Sequence, residues 1–288
     1  MTRQRVLLGN LPPNPSAEAK ITAGSATVTD GNDRASLTVL ELGSPAVWRM
    51  VAAKADKPDS ASQYTSISFS SRGGYLLVCA SATGCSISPQ AMTGMNLSID
   101  GTRYGTIEIF ANNNGWHLAF VPADFLIDRI PPGQHTLVAT PAAGTTIDNN
   151  DAYAISIFEV MAPPTVLNVT GALANATATG QSGGSVVASG SFSSYGGTLI
   201  ITAAASAYSS IGAAMLGMTV QVDGRSVGTM QAIANPAAVH LGLTGNDLVA
   251  TGINAGNHTV SLVAKDGTVT DFNDRCSVTI IEVATTWP

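Results

Sequence analysis

From Gly73 to Val160 the chain aligns with a later stretch of itself, without a gap, at an offset of 123 residues. Gly73-Gly74-Tyr75-Leu76-Leu77-Val78 matches Gly196-Gly197-Thr198-Leu199-Ile200-Ile201, and Gly94-Met95-Asn96-Leu97-Ser98-Ile99-Asp100-Gly101 matches Gly217-Met218-Thr219-Val220-Gln221-Val222-Asp223-Gly224. Gly133-Gln134-His135-Thr136-Leu137 matches Gly256-Asn257-His258-Thr259-Val260. Equal loop lengths over so long a span require two copies of one unit, because insertions accumulate first in loops. A third, partial copy precedes them. Asp30-Gly31-Asn32-Asp33 leads into Ser36–Leu42 as Asp148-Asn149-Asn150-Asp151 leads into Ala154–Val160 and Asp271-Phe272-Asn273-Asp274 into Cys276–Val283.

Within each copy the local signals are those of strands. Met95–Ile99 and Met218–Val222 alternate apolar and polar residues, which buries one face of a strand and solvates the other. Asp100-Gly101 and Asp223-Gly224 are hairpin turns, where glycine tolerates positive φ. Turn signals recur about every eight to twelve residues, the spacing of an antiparallel sandwich. Helical periodicity is lacking, apart from a single expected turn at Pro122–Leu126 and its partner at 245–248. About eight strands per copy, without a Cys–Trp–Cys core, favour a jelly roll over an immunoglobulin sandwich. The expected fold is therefore all-β: two tandem antiparallel β-sandwich, jelly-roll-like domains at 43–160 and 163–288, preceded by an extended arm and an orphan β-hairpin at 1–42. Met161-Ala162-Pro163-Pro164 is a short, stiff linker that should hold the two domains in a defined orientation.

The hairpin at 18–42 has the closing strands of a unit whose front is absent. An isolated two-stranded hairpin is marginal in water. It is expected to complete a sheet elsewhere, in the first domain or in a neighbouring chain by strand addition, with Ile21, Val28, Leu37, Val39 and Leu40 as its assembly residues.

Composition narrows the function. Apolar residues at 45% supply real cores, whereas charged residues are only 11%. A surface solvated by hydroxyls and backbone suits an assembly component better than a free enzyme. A net charge of −6 offers no basic field for phosphates, so nucleic acid is not an expected partner. No apolar run approaches the ~20 residues of a membrane helix, and the first residues do not read as a secretory signal. Synthesis in a cytoplasm is the expectation. Three cysteines make no disulfide framework; Cys79, Cys85 and Cys276 are expected as small buried apolar groups, with a Cys79–Cys85 bridge as the alternative.

The polar groups carry the candidate chemistry. All four histidines fall into aligned pairs, His117 with His240 and His135 with His258. Two imidazoles per copy allow a metal or pH-sensing reading; hydrogen bonding to backbone near strand starts is the plainer one. The Asp-x-Asn-Asp turns carry oxygen ligands of the type Ca²⁺ takes, at Asp148, Asn150, Asp151, Asp271, Asn273 and Asp274. The same residues are what a turn pinned by its own side chains needs, and the spaced carboxylates of an EF-hand are missing. Glu41, Glu159 and Glu282 share one position, where a carboxylate is expected to face solvent or pair with a basic side chain. No nucleophile elbow, phosphate loop or dinucleotide fingerprint is present, and the chain is not expected to be an enzyme or to carry a cofactor. Among aromatics that could stack on sugars, namely Trp48, Tyr64, Tyr75, Tyr104, Trp116 and Trp287, most do not recur between copies. Trp116, behind Asn112-Asn113-Asn114-Gly115, is the glycan candidate.

The Gly-Gly strands, the Gly-Met-x-[Leu/Val]-x-[Ile/Val]-Asp-Gly hairpins, the Gly-x-His-Thr strands and the Asp-x-Asn-Asp closing hairpins together resemble the tandem jelly-roll modules of bacteriophage virion proteins, of head-decoration and tail-fibre types. The resemblance covers nearly the whole chain from residue 18 and assigns no functional residue. It implies a virion component, a capsid decoration or cement protein attached to capsid or tail subunits, homo-oligomeric and localised to the particle. The alternative it implies is a tail fibre or adhesin that reads a host glycan.

Overall fold

The computed structural model describes residues 48–128, 130–161, 167–243 and 246–284. The arm and hairpin at 1–42, with Ile21, Val28, Leu37, Val39 and Leu40, lie outside the described residues. In chain order the strands are β1 (Trp48–Asp56), β2 (Thr65–Ser71), β3 (Tyr75–Ser86), β4 (Ala91–Ile99), β5 (Thr102–Ala111), β6 (His117–Ala119), β7 (Ala123–Ile127), β8 (Gly133–Pro141), β9 (Thr145–Thr146) and β10 (Tyr153–Val160). The second set is β11 (Leu167–Thr177), β12 (Gln181–Ser182), β13 (Val186–Tyr195), β14 (Gly197–Ala207), β15 (Ala214–Val222), β16 (Arg225–Ala234), β17 (Leu241–Gly242), β18 (Asn246–Ala250), β19 (Ala255–Ala264), β20 (Val269–Thr270) and β21 (Arg275–Ala284).

The first set builds one sheet in the order β1-β10-β3-β7 and a second in the order β2-β8-β4-β5. The second set repeats both, as β11-β21-β14-β18 and β13-β19-β15-β16. With the short β6, β9, β12, β17 and β20 set aside, eight strands divide equally between two antiparallel sheets in each copy, in the strand order of a jelly roll. Register repeats as well. Tyr153 pairs with Ala82 as Cys276 pairs with Ala205, and Met95 with Pro141 as Met218 with Ala264. The Asp100-Gly101 turn has φ of 49° and 80°, and Asp223-Gly224 has 48° and 78°. Positive φ at both central positions is the hairpin turn whose twist matches that of the flanking strands.

The expected helical turns at 122–126 and 245–248 are not formed. Ala123–Ile127 pairs with β3, Leu76 opposite Ile127, and 246–250 pairs with β14. Five residues cannot offset the cost of nucleating a helix, whereas the free edge of β3 offers a full ladder and Phe125 enters the core between the sheets.

Burial separates the two sheets of a sandwich. β2 alternates strictly, buried then exposed, so its outer face meets solvent. β10 and β3 are buried at almost every position. Their second buried face is the other sandwich: Trp48, Leu77, Cys79, Phe158 and Val160 form one apolar cluster with Leu167 and Ile281. Beside this seam the Arg275 guanidinium donates to Glu108 at 3.0 Å and Asn112 bonds Ala238 and His240. The mutual orientation therefore rests on side chains across a packed face. Residues 162–164 of the linker lie outside the described residues.

Candidate functional site

The Asp-x-Asn-Asp turns are built identically. The Asp148 carboxylate accepts from the Asn150 N–H at 2.7 Å, and the Asp151 carboxylate accepts from the Asp148 N–H at 2.9 Å. The corresponding distances in the second copy are 2.7 Å (Asp271, Asn273) and 3.0 Å (Asp274, Asp271). Asn150 and Asn273 serve through their backbone, and no hydrogen bond of either side chain occurs among the described residues. Asp151 and Asp274 are buried, and each has further donors. Asp151 Oδ1 accepts from Thr83 Oγ1 at 3.0 Å and faces His117 Nδ1 at 2.8 Å. Asp274 Oδ1 accepts from Ser206 Oγ at 2.8 Å and faces His240 Nδ1 at 2.9 Å. The turn thus carries a buried carboxylate that holds an imidazole, while the first Asp stands opposite the other ring nitrogen: Asp148 Oδ2 at 3.7 Å from His117 Nε2, Asp271 Oδ2 at 3.6 Å from His240 Nε2.

The two copies of this arrangement have diverged in access. The His240 ring is packed by Tyr208 and by Phe110 of the first sandwich, both with ring centroids at 4.8 Å, and the His240 backbone N–H donates to Asn112 Oδ1 at 2.8 Å. Its side chain is 5% exposed. His117 is 37% exposed. Cys85 stands where the second copy has Tyr208, and Trp116, half-exposed, precedes the histidine. Cys85 is buried, like Cys79 and Cys276, and none of the three is in a disulfide. Burial is the first cause that pushes the Cys85 thiol pKa up, followed by the negative charges of Asp151 and Asp148. Trp48 and Tyr64 are buried and cannot stack on a sugar, which leaves Tyr104 and Trp116 exposed; Trp287 lies outside the described residues.

The second histidine pair staples the Asp-Gly hairpins. His135 Nδ1 faces Asp100 Oδ2 at 2.6 Å and Nε2 faces the Pro131 carbonyl at 2.8 Å; for His258 the partners are Asp223 Oδ2 at 2.6 Å and the Asn254 carbonyl at 2.9 Å. Two acceptors satisfy both nitrogens only when each carries a proton, so the imidazolium is the bound form. The side-chain bond to Asp100 raises the His135 pKa, opposed by burial and helped by the Pro131 carbonyl; the bond to Asp223 acts likewise on His258. A raised folded-state value gives stability that is complete below the unfolded value of about 6.5 and is lost as pH rises through the folded one. The melting temperature should therefore fall as pH is raised from about 6 through the raised values. Differential scanning calorimetry over that range checks it, and His135→Gln/His258→Gln together should flatten this part of the profile.

Glu159 and Glu282 do not face solvent. Both are buried. Glu159 Oε1 accepts from Ser71 Oγ at 2.6 Å and from the N–H groups of Arg72 and Gly74 at 2.7 and 3.2 Å, and Oε2 accepts from Arg49 Nε at 2.7 Å. Glu282 binds Ser194 and the Tyr195 N–H in the same turn of the second copy, with Asn168 in place of Arg49. The carboxylate ties the β2–β3 turn to β10, a role the sequence pattern marked by recurrence but did not explain.

The pairing of each histidine with an aspartate was legible in principle. His117 and Asp151 are 34 residues apart, as are His240 and Asp274; His135 and Asp100 are 35 apart, as are His258 and Asp223. The apolar side chains of Val78, Leu97, Tyr104, Phe125, Ile127 and Leu137 leave no space between them for a water molecule and present no carboxylate, imidazole or thiol.

No known family model and no curated protein sequence matches the chain. Among solved structures, PNGF-II is 8% identical over 81% of this chain with a TM-score of 0.38, and the chain spans 63% of that protein's length. The conserved protein PA5104 of Pseudomonas aeruginosa PAO1 is 13% identical over 84% of this chain and 86% of its own, at 0.31. The VP2 protein of infectious bursal disease virus (D431N mutant, T=1 particles) is 12% identical over 86% of this chain and 73% of its own, at 0.28. At these values none of the likenesses carries an argument about activity.

Proposed function

We propose that this chain is a non-enzymatic structural component of a bacteriophage particle, a capsid decoration or cement protein that attaches by strand pairing of its leading hairpin and by apolar burial. The observation that supports this reading best is the back-to-back fusion of two jelly rolls. Their inner sheets share a continuous apolar seam, and the polar groups that recur in both copies bond turns and strands instead of converging on a cleft. Such a unit serves as a rigid block, and its low charge suits broad contact with neighbouring subunits. Antibody raised against the recombinant chain, used in immunogold labelling of particles and cells from the source, tests the proposal. Label over capsids is expected, and it should vanish for particles assembled with a chain lacking residues 1–42. Label confined to cells overturns it.

Trp116 favours a second reading, a tail fibre or adhesin. Half-exposed beside His117, it offers a flat apolar face flanked by polar side chains, which suits a sugar ring. A glycan array separates the two: specific binding that Trp116→Ala abolishes supports the adhesin, and a blank array leaves the decoration reading.

A further inference from the structure

We propose that the first sandwich holds one divalent transition-metal ion of the zinc class at Cys85, His117 and Asp151, and that the second sandwich lacks the same capacity. Cys85 Sγ, a ring nitrogen of His117 and a carboxylate oxygen of Asp151 lie within 4.8 Å of one another. A thiolate, an imidazole and a carboxylate with a fourth position open to solvent is a donor set that zinc accepts. It is not one for Ca²⁺, which takes oxygen. The Cys85 thiol is more than nine-tenths buried and makes no hydrogen bond among the described residues, so its sulfur is not committed elsewhere.

The ion takes the place of the proton between His117 Nδ1 and Asp151 Oδ1, now 2.8 Å apart. Bonds of about 2.0–2.3 Å in a tetrahedron space ligand atoms by about 3.2–3.6 Å, so the half-exposed ring must part from Asp151 by about 0.4–0.8 Å. Starting from the imidazolium that stands between Asp151 and Asp148, the thiol proton and the Nδ1 proton leave to solvent as the ion binds. Nε2 keeps the neutral ring's one proton, and closure of Asp148 Oδ2 from 3.7 Å to hydrogen-bond distance completes the carboxylate–imidazole–metal relay that orients metal-bound histidines.

The second copy supplies the contrast within one chain. His240, Asp271 and Asp274 are also close enough to share an ion. Tyr208 replaces the soft donor, however, and its ring and that of Phe110 close on the imidazole at 4.8 Å, leaving no place for a fourth ligand. One histidine–aspartate pair has been sealed into the seam between the sandwiches, and its duplicate has kept an open side and acquired a thiol.

Titration of the thiol-reduced, metal-free chain with Co²⁺ in an anaerobic cell tests the assignment. Expected are a thiolate-to-cobalt charge-transfer band and tetrahedral visible bands that saturate at one ion per chain, reversed by Zn²⁺. Cys85→Ser should remove the charge-transfer band, His117→Ala should weaken binding by at least tenfold, and Asp148→Ala by about tenfold. Circular dichroism checks that each variant keeps native strands, and only folded variants are scored. Absence of the band in folded wild type, its persistence in Cys85→Ser, or saturation at two ions per chain overturns the proposal.

Discussion

Glu159→Ala should destabilise the protein by about 3 kcal/mol, the typical cost of removing one partner from a buried ion pair. Four donors converge on this carboxylate. Its loss leaves the Arg72 and Gly74 N–H groups and the Ser71 hydroxyl without an acceptor and strands Arg49, whose side chain is 23% exposed. Burial pushes the Glu159 carboxyl up, but the bonds from Ser71, Arg49 and the two N–H groups outweigh it and hold the pKa below its ordinary value. The linkage then has a definite sign. A depressed folded-state pKa adds stability that is complete above the unfolded value near 4.3 and is lost as pH falls through the folded one. Urea denaturation followed by circular dichroism at pH 7 and at low pH reads both effects, and the variant should lose less than wild type on acidification. Glu282→Ala should cost less, about 1–2 kcal/mol, because its neighbour is Asn168 and no cation is left behind. Equal costs at the two positions would show that Arg49 contributes nothing.

Gly105→Ala should cost about 1–3 kcal/mol, the usual range for an overpacked core. A methyl group at that position would stand 2.5 Å from Phe125 Cδ1 and 2.7 Å from Cζ, and the ring is buried between the sheets. Aromatic rings move only as plates, so β5 must shift away from β7. Gly228, its duplicate, faces Leu248, with Cδ1 at 2.9 Å. A leucine side chain can change rotamer, and Gly228→Ala should therefore be the milder of the pair. Thermal melts of the two single variants decide the order; a larger loss at Gly228 would mean that the second sandwich is the more tightly packed at this point.

These recurring glycines show how far the sequence could be read. The Gly-Met and Gly-Thr motifs appear twice because a strand there runs against a side chain or carbonyl that a Cβ would strike: Gly94 against the Ile107 carbonyl and Gly105 against Phe125. Recurrence announced that the positions mattered, without naming the obstacle. Glu159 behaved the same way. Its repetition at Glu282 was visible and pairing with a basic side chain was one of the two expectations, met by Arg49, but burial and the donors from Ser71, Arg72 and Gly74 follow only once the β2–β3 turn folds over it. The segment at Pro122–Leu126 misled, since proline followed by polar and apolar residues fits one helical turn as well as a short strand, and only the open edge of β3 chose between them.

What the chain dictated unaided was the all-β sandwich and its duplication, because alternation, turn residues and equal loop lengths act over a few bonds and can be compared copy against copy. The face-to-face seam was only hinted at, in the apolar run Tyr75–Ala80 that opens β3. Tertiary structure alone decided that one histidine–aspartate pair is closed and the other open. That outcome depends on Phe110 and Asn112 reaching His240 from 130 and 128 residues away, and a contact across that separation follows from how two finished surfaces fit, which no local pattern encodes.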